Sequence, residues 1–226
     1  MSLSLEETLR LCDGERNHHG LTLARSYEGF KTWFAAFENG SDEFDLHLAY
    51  MRELDIPKEE AFFILAYTGT HSSWINGDLR NGEELSGRCK QAFAESLDQV
   101  LLKLNSLNNQ IVYRMDIPPD DDEETRNWFH QRIGAKFEVP YYLSTAQEDY
   151  HNTPIVWKIQ TLAADSFGKD ISKLTNNEYE REVLFRRHTK FEILGIEHGT
   201  GYVRLQELTK DAATDFPLVG IYNRNY

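Results

Sequence analysis

Three polar elements stand inside stretches that otherwise read as buried core. Arg114 lies within Ile111-Val112-Tyr113-Arg114-Met115, and Ser144 and Thr145 close the apolar run Val139-Pro140-Tyr141-Tyr142-Leu143. Glu180 and Glu182 flank Arg181 immediately before Val183-Leu184-Phe185. A guanidinium on a central strand loses its hydration and must be paired with an anion. Carboxylates at i and i+2 of an extended segment share one face, about 7 Å apart. Taken one at a time, each element reads as part of a structural ion pair, the ordinary way in which buried charge is tolerated.

Other chemistry is poorly served. The eight histidines show no ligand spacing, and the adjacent His18 and His19 would point apart on a helix or strand, so no metal site is expected. The glycine-rich phosphate loops, the GxSxG elbow and the HExxH zinc motif are absent from the sequence. Cys89 has Arg88 and Lys90 beside it, which could activate a thiol, but a cysteine at the start of an amphipathic helix is the simpler reading. Cys12 and Cys89 make no disulfide framework and no zinc spacing, which fits a reducing compartment. The acidic run from Asp120 to Glu124 lacks the central glycine and terminal glutamate of a calcium loop, and reads as the charged start of a helix.

The elements that must carry the three polar groups follow from pattern. Pro57-Lys58-Glu59-Glu60 has the proline and carboxylates of a helix start, and the apolar residues 61–66 follow before Tyr67-Thr68-Gly69-Thr70 ends the helix as a turn. Phe93, Leu97, Leu101 and Leu104 form one apolar face of a helix over residues 90–104. After Asn108 and Asn109 the pattern becomes β-rich, with strands expected over residues 111–115, 141–144, 155–159, 182–185, 191–194 and 202–208, and a helix over residues 123–132. Helices first and strands after imply an α+β fold with an antiparallel or mixed sheet. A soft boundary at residue 56 separates a helical N-terminal region, residues 1–56, from residues 57–226, the part of the chain that carries the candidate chemistry.

The 226 residues carry 24 Lys+Arg against 37 Asp+Glu, a formal charge of −13, and 40% are apolar. That composition is globular and rules out wholesale disorder. The acidity argues against a protein that grips nucleic acid by bulk charge; only residues 186–190, Arg-Arg-His-Thr-Lys, are locally basic. No run approaches the ~18 apolar residues of a membrane span, and the first residues lack the basic and apolar regions of a signal peptide.

In order and spacing, the motifs over residues 66–194 resemble the R-S-E class of mono-ADP-ribosyltransferases, which includes the cholera-toxin-like, arginine-modifying bacterial toxins. Tyr113-Arg114-Met115 is similar to the first motif, and Tyr142-Leu143-Ser144-Thr145-Ala146 to the aromatic-x-Ser-Thr-Ser motif. Glu180-Arg181-Glu182-Val183-Leu184-Phe185, followed by Thr189-Lys190-Phe191, is similar to the ExE motif and its second strand. Ala66-Tyr67-Thr68-Gly69, Trp74-Ile75-Asn76 and Leu79-Arg80 resemble a segment found upstream in bacterial members, and residues 168–175 resemble the approach to the ExE loop.

The resemblance implies two packed, mainly antiparallel sheets forming an NAD⁺ cleft, with a helical N-terminal region. It implies cleavage of NAD⁺ between nicotinamide and ribose and transfer of ADP-ribose, with no metal. Arg114 would clamp the anionic dinucleotide, and Ser144 would support the nicotinamide pocket and orient the catalytic glutamate. Glu182 would hydrogen-bond the ribose and stabilise its cation, and Glu180 would orient and help deprotonate an arginine acceptor. Thr145, Tyr67, Asn76, Arg80 and Tyr142 would help to hold NAD⁺. Glu178-Tyr179-Glu180 is a second ExE one step upstream; Glu180/Glu182 is preferred because the apolar strand follows Glu182 without a gap. Ala146 departs from the family pattern, replacing its last serine. The acceptor expected is an arginine of a protein, with nucleic acid or water as the alternative and an inactive NAD⁺- or partner-binding relative as the third reading. An immunity protein or antitoxin would be a natural partner. The chain would act in the cytoplasm, its own or that of a target cell reached by specialised secretion.

Overall fold

In the computed structural model, residues 3–38, 42–116, 122–150, 153, 155–175 and 181–219 are described. They form two compact units, one helical and one built on a sheet.

The helical unit comprises residues 1–79, 83–104 and 173–176. Its helices are α1 (Leu5–Leu11), α2 (Leu23–Glu38), α3 (Asp42–Glu53), α4 (Lys58–Ala66), α5 (Ser72–Arg80, its last residue grouped with the sheet) and α6 (Gly87–Lys103). Ser4 opens α1 with a capping box, its hydroxyl accepting from the Glu7 amide while the Glu7 carboxylate accepts from the Ser4 amide. Pro57 caps α4, and Glu59 and Glu60 occupy the first turn, where the helix dipole favours carboxylates. Phe93, Leu97 and Leu101 of α6 are fully buried, as one apolar face requires.

Two expectations fail in this unit. Residues 67–70 do not end the helix: Tyr67–His71 is a single π-helical turn that runs straight into α5. The Thr68 hydroxyl donates back to the Ile64 carbonyl, and Tyr67 and His71 point inward, so burial keeps turn-prone residues helical. The cysteines also do not stay apart. Cys12, the C-cap of α1, is disulfide-bonded to Cys89 in α6, with Cα atoms 5.0 Å apart across 77 positions of sequence. Linear spacing hides a pair made by helix packing, and the bond removes the support that unpaired cysteines lent to a reducing compartment.

The sheet unit comprises residues 80–82, 105–172 and 177–226. Its strands are β1 (Ile111–Asp116), β2 (Lys136–Val139), β3 (Leu143–Ala146), β4 (Ile155–Gln160), β5 (Gly168–Asp170), β6 (Glu182–Phe185), β7 (Thr189–Ile196), β8 (Val203–Leu208) and β9 (Phe216–Pro217). Helix α7 (Asp122–His130) follows β1, with Asp122, Glu123 and Glu124 in its first turn. The strand order is β5-β6-β3-β1-β4-β8-β7-β2-β9, and all pairs are antiparallel except β4–β8 and β2–β9.

The α+β class is as expected, and the two halves of the sheet are joined through the β1–β4 ladder. They nonetheless meet face to face. Phe185 on β6 and Phe191 on β7 stand five places apart in strand order, yet their ring centroids are 5.5 Å apart. Only a curled sheet brings them together. Phe129, Phe137, Trp157, Phe185 and Phe191 are sealed within this fold as its aromatic core. Direct ladder pairing sets β6, β3 and β1 side by side, and these strands carry the polar elements.

Candidate functional site

Register brings the three elements to one place. Tyr113 on β1 stands opposite Ala146 on β3, and Ala146 stands opposite Glu182 on β6. Ser144 lies two residues before Ala146 and therefore on the same face, diagonal to Glu182. Its hydroxyl donates to Glu182 Oε1 at 2.6 Å, the short distance of a bond to an ionised acceptor. Arg114 Nη1 donates to the Ser144 carbonyl at 2.9 Å. A guanidinium, a hydroxyl and a carboxylate are thus linked across three adjacent strands.

All three residues are half-buried. Beside them is an open cavity of about 250 Å³ lined by Tyr113, Arg114, Met115, Ser144, Thr145, Ala146 and Tyr150. Thr145 is buried, and its hydroxyl donates to the Val183 carbonyl at 2.8 Å, tying β3 to β6. Ala146, opposite Glu182 on β6, is buried and lines the cavity.

The remaining candidates are distributed as follows. Tyr142 is fully buried, with the Arg187 guanidinium 5.4 Å from its ring centroid. Arg80, exposed at the end of α5, lies 5.3 Å from the Tyr141 ring centroid within the sheet unit. Tyr67 and Asn76 are both buried in the helical unit, where the Asn76 amide donates to the Tyr67 hydroxyl at 2.9 Å. Glu178 and Glu180 lie outside the described residues.

Tyr150 lines the cavity without having been singled out in the sequence, and Tyr113 and Met115, named there only as motif neighbours of Arg114, line it too. Tyr150 follows a polar loop in which no local signal marks it. Among the described residues no group of three His, Cys, Asp or Glu side chains could hold a metal ion, and no helix is long and apolar enough to cross a membrane.

A paired hydroxyl and carboxylate, with an arginine fork beside an open cavity, can hold an anionic sugar derivative and place negative charge near a developing cation. The comparisons agree with such a use. The family model for the ADP-ribosyltransferase exoenzyme matches residues 48–213. No curated protein sequence matches the chain. Among solved structures, the chain is similar to the ADP-ribosyltransferase HopU1 of Pseudomonas syringae, with 19% identity, 90% of this chain and 96% of that chain covered, and a TM-score of 0.62. It is also similar to C3stau2 from S. aureus, solved with NAD, with 16% identity, 75% and 95% covered, and a TM-score of 0.59. The ADP-ribosyltransferase Vis, solved in complex with agmatine, matches at 17% identity, 81% and 94% covered, and a TM-score of 0.56. At these identities the structural likenesses speak for the fold alone.

Proposed function

The chain belongs to the ADP-ribosyltransferase exoenzyme family, a group of bacterial toxins and effectors that use NAD⁺ as co-substrate, and on that premise we propose that it transfers a single ADP-ribose unit to an arginine of a target protein. The observation that carries this reading is the 2.6 Å bond from Ser144 to Glu182 beside the cavity that Arg114 lines.

In the proposed reaction the bond between C1″ of the ribose and nicotinamide breaks, and nicotinamide leaves with the bonding pair. Positive charge develops on the sugar ring as it does in glycoside hydrolysis. Glu182 stabilises that charge and bonds the ribose 2″-hydroxyl, and Ser144 holds its carboxylate in place. The fork of Arg114 binds the diphosphate bidentately. Thr145, Arg80 and Tyr142, all of the sheet unit, are assigned to the NAD⁺-holding residues of the proposed catalytic domain, residues 57–226. A guanidinium nitrogen of the acceptor then bonds C1″ and releases a proton, and the Glu180 carboxylate is the group assigned to take it.

Arginine is favoured by the glutamate at position 180 and, by analogy, by the complex of Vis with agmatine, a compound that carries a guanidinium group. Action in the cytoplasm of a target cell after delivery is the setting that fits a family of effectors. The test is labelled NAD⁺ with a mixture of target-cell proteins. Label should resist RNase and be released by reagents that cleave arginine-linked ADP-ribose. Label lost on RNase treatment would move the acceptor to nucleic acid. Glu180→Ala should lower transfer more than NAD⁺ hydrolysis; equal losses would sink the acceptor role of Glu180.

A further inference from the structure

The residue between the two glutamates has a conformation of its own. Arg181 has φ +43°, a left-handed backbone that non-glycine residues rarely adopt. Such a conformation persists only where its surroundings determine it. Here Gln147, just past the end of β3, supplies two bonds in opposite senses. Its amide N–H donates to the Arg181 carbonyl at 3.2 Å, and its side-chain oxygen accepts from Arg181 Nη2 at 2.7 Å. The Gln147 side-chain amide also donates to Asp170 Oδ2 on β5 at 3.3 Å, and Arg181 Nη1 lies 3.6 Å from Glu148 Oε1. Arg181 is therefore held from the β3 side of β6 by Gln147 and Glu148, and Gln147 is itself tied to β5 through Asp170.

Arg181 is the last residue before Glu182. The Glu182 carbonyl accepts from the Ile171 amide at 3.0 Å, and its carboxylate accepts from Ser144. The clasp itself is exposed: the Arg181 side chain is 53% accessible. Exposed pairs of this kind add little to fold stability, so the paired bonds of Gln147 with Arg181 are not explained by stability. We propose that Arg181 is a positioning residue for Glu182: its left-handed backbone, held by Gln147, aims the start of β6 so that the Glu182 carboxylate meets Ser144. The proposal rests on the reading of Glu182 as the carboxylate that acts on NAD⁺.

Two substitutions separate backbone from side chain. Arg181→Asn and Arg181→Val both remove the guanidinium, but asparagine tolerates a left-handed backbone and valine does not. In Arg181→Val, kcat for NAD⁺ hydrolysis should fall about tenfold with KM within about twofold, given the cost of the left-handed region to an ordinary residue. Arg181→Asn should restore most of that loss, and Gln147→Ala should fall between the two. A second readout needs no turnover: the ¹³C carboxyl resonance of Glu182, assigned through its loss in Glu182→Gln. It should move in Arg181→Val to the position it takes in Ser144→Ala, and stay near its wild-type position in Arg181→Asn. Equal losses in the asparagine and valine variants, or a Glu182 resonance unmoved by valine, would overturn the proposal. Wild-type protein that fails to cleave NAD⁺ would end the functional reading instead, while the resonance still decides the role of Arg181.

Discussion

Two sets of polar side chains, one in each unit, are treated in opposite ways. In the sheet unit, Arg114, Ser144 and Glu182 are half-buried, bonded to one another and placed beside an open cavity. In the helical unit, His71 is 1% exposed, stacked on Phe93 and edge-on to Trp74, and the Tyr67–Asn76 pair is equally enclosed. Full burial makes a polar group a stability element, because the alternative to its present bonds is a costly unpaired state. Half burial with bonds among neighbours leaves capacity for a substrate. Substitutions in the sheet-unit set should therefore change turnover at nearly constant stability. Those in the helical set should first change stability.

The sharpest way to break this contrast is Glu182→Ala. Removing the carboxylate proposed to stabilise the reacting sugar should lower both NAD⁺ hydrolysis and transfer by about a thousandfold, while the melting temperature moves by only a degree or two. A variant that keeps full activity would show that another carboxylate acts, with Glu178/Glu180 the first alternative. The counterpart in the helical unit is the Cys12–Cys89 bond, which closes a loop spanning 77 positions. Reducing it, or replacing both cysteines with serine, should cost about 3 kcal/mol of stability. Denaturant unfolding with and without reductant measures this, and an unchanged midpoint would detach the bond from the fold.

How much of this arrangement could be read along the chain depended on the range of each contact. Arg114, Ser144 and Glu182 were visible because each interrupts an apolar strand, and strand alternation is a local property. The helix face of Phe93, Leu97 and Leu101 was legible for the same reason. The Cys12–Cys89 bond was not, since it depends on how α1 packs on α6. Strand β5 has three residues, Gly168–Asp170, and β9 only two, Phe216–Pro217; both are too short to show a period. They are strands because their neighbours offer ladder bonds. The joining of the two sheet halves through β1 and β4 and the left-handed backbone of Arg181 are likewise products of tertiary structure, invisible to propensity.

His71 supplies a smaller effect that separates the units by pH. Burial lowers its pKa from 6.5 to about 4, because the imidazolium cannot be hydrated between Phe93 and Trp74. Unfolding returns the group to its ordinary value, so between these limits the unfolded chain binds a proton that the folded chain refuses. Stability from this source is fully present above pH 6.5 and is lost as pH falls toward 4; it amounts to about 2–3 kcal/mol. Melting temperatures recorded from pH 7.5 to 4.5 should fall less steeply in His71→Phe than in wild type. Identical slopes would show that His71 is not the titrating group.

Ser144→Ala should have the smallest effect, and it examines the contrast at its finest. The substitution removes one hydroxyl, whose 2.6 Å bond is to a carboxylate. Bonds to charged groups contribute about 1.5–3 kcal/mol, so if that contribution is realised in the transition state kcat should fall by about 10- to 150-fold. The Arg114 contact would survive, because it is made to the Ser144 main-chain carbonyl. NAD⁺ binding should then be nearly unchanged, and the loss should lie in kcat with KM within about twofold. The half-buried carboxylate left behind can still meet water, so the melting temperature should hold. A large rise in KM would instead assign Ser144 to substrate binding. A drop in melting temperature without loss of kcat would return the Ser144–Glu182 pair to the structural role that each element, taken alone, allows.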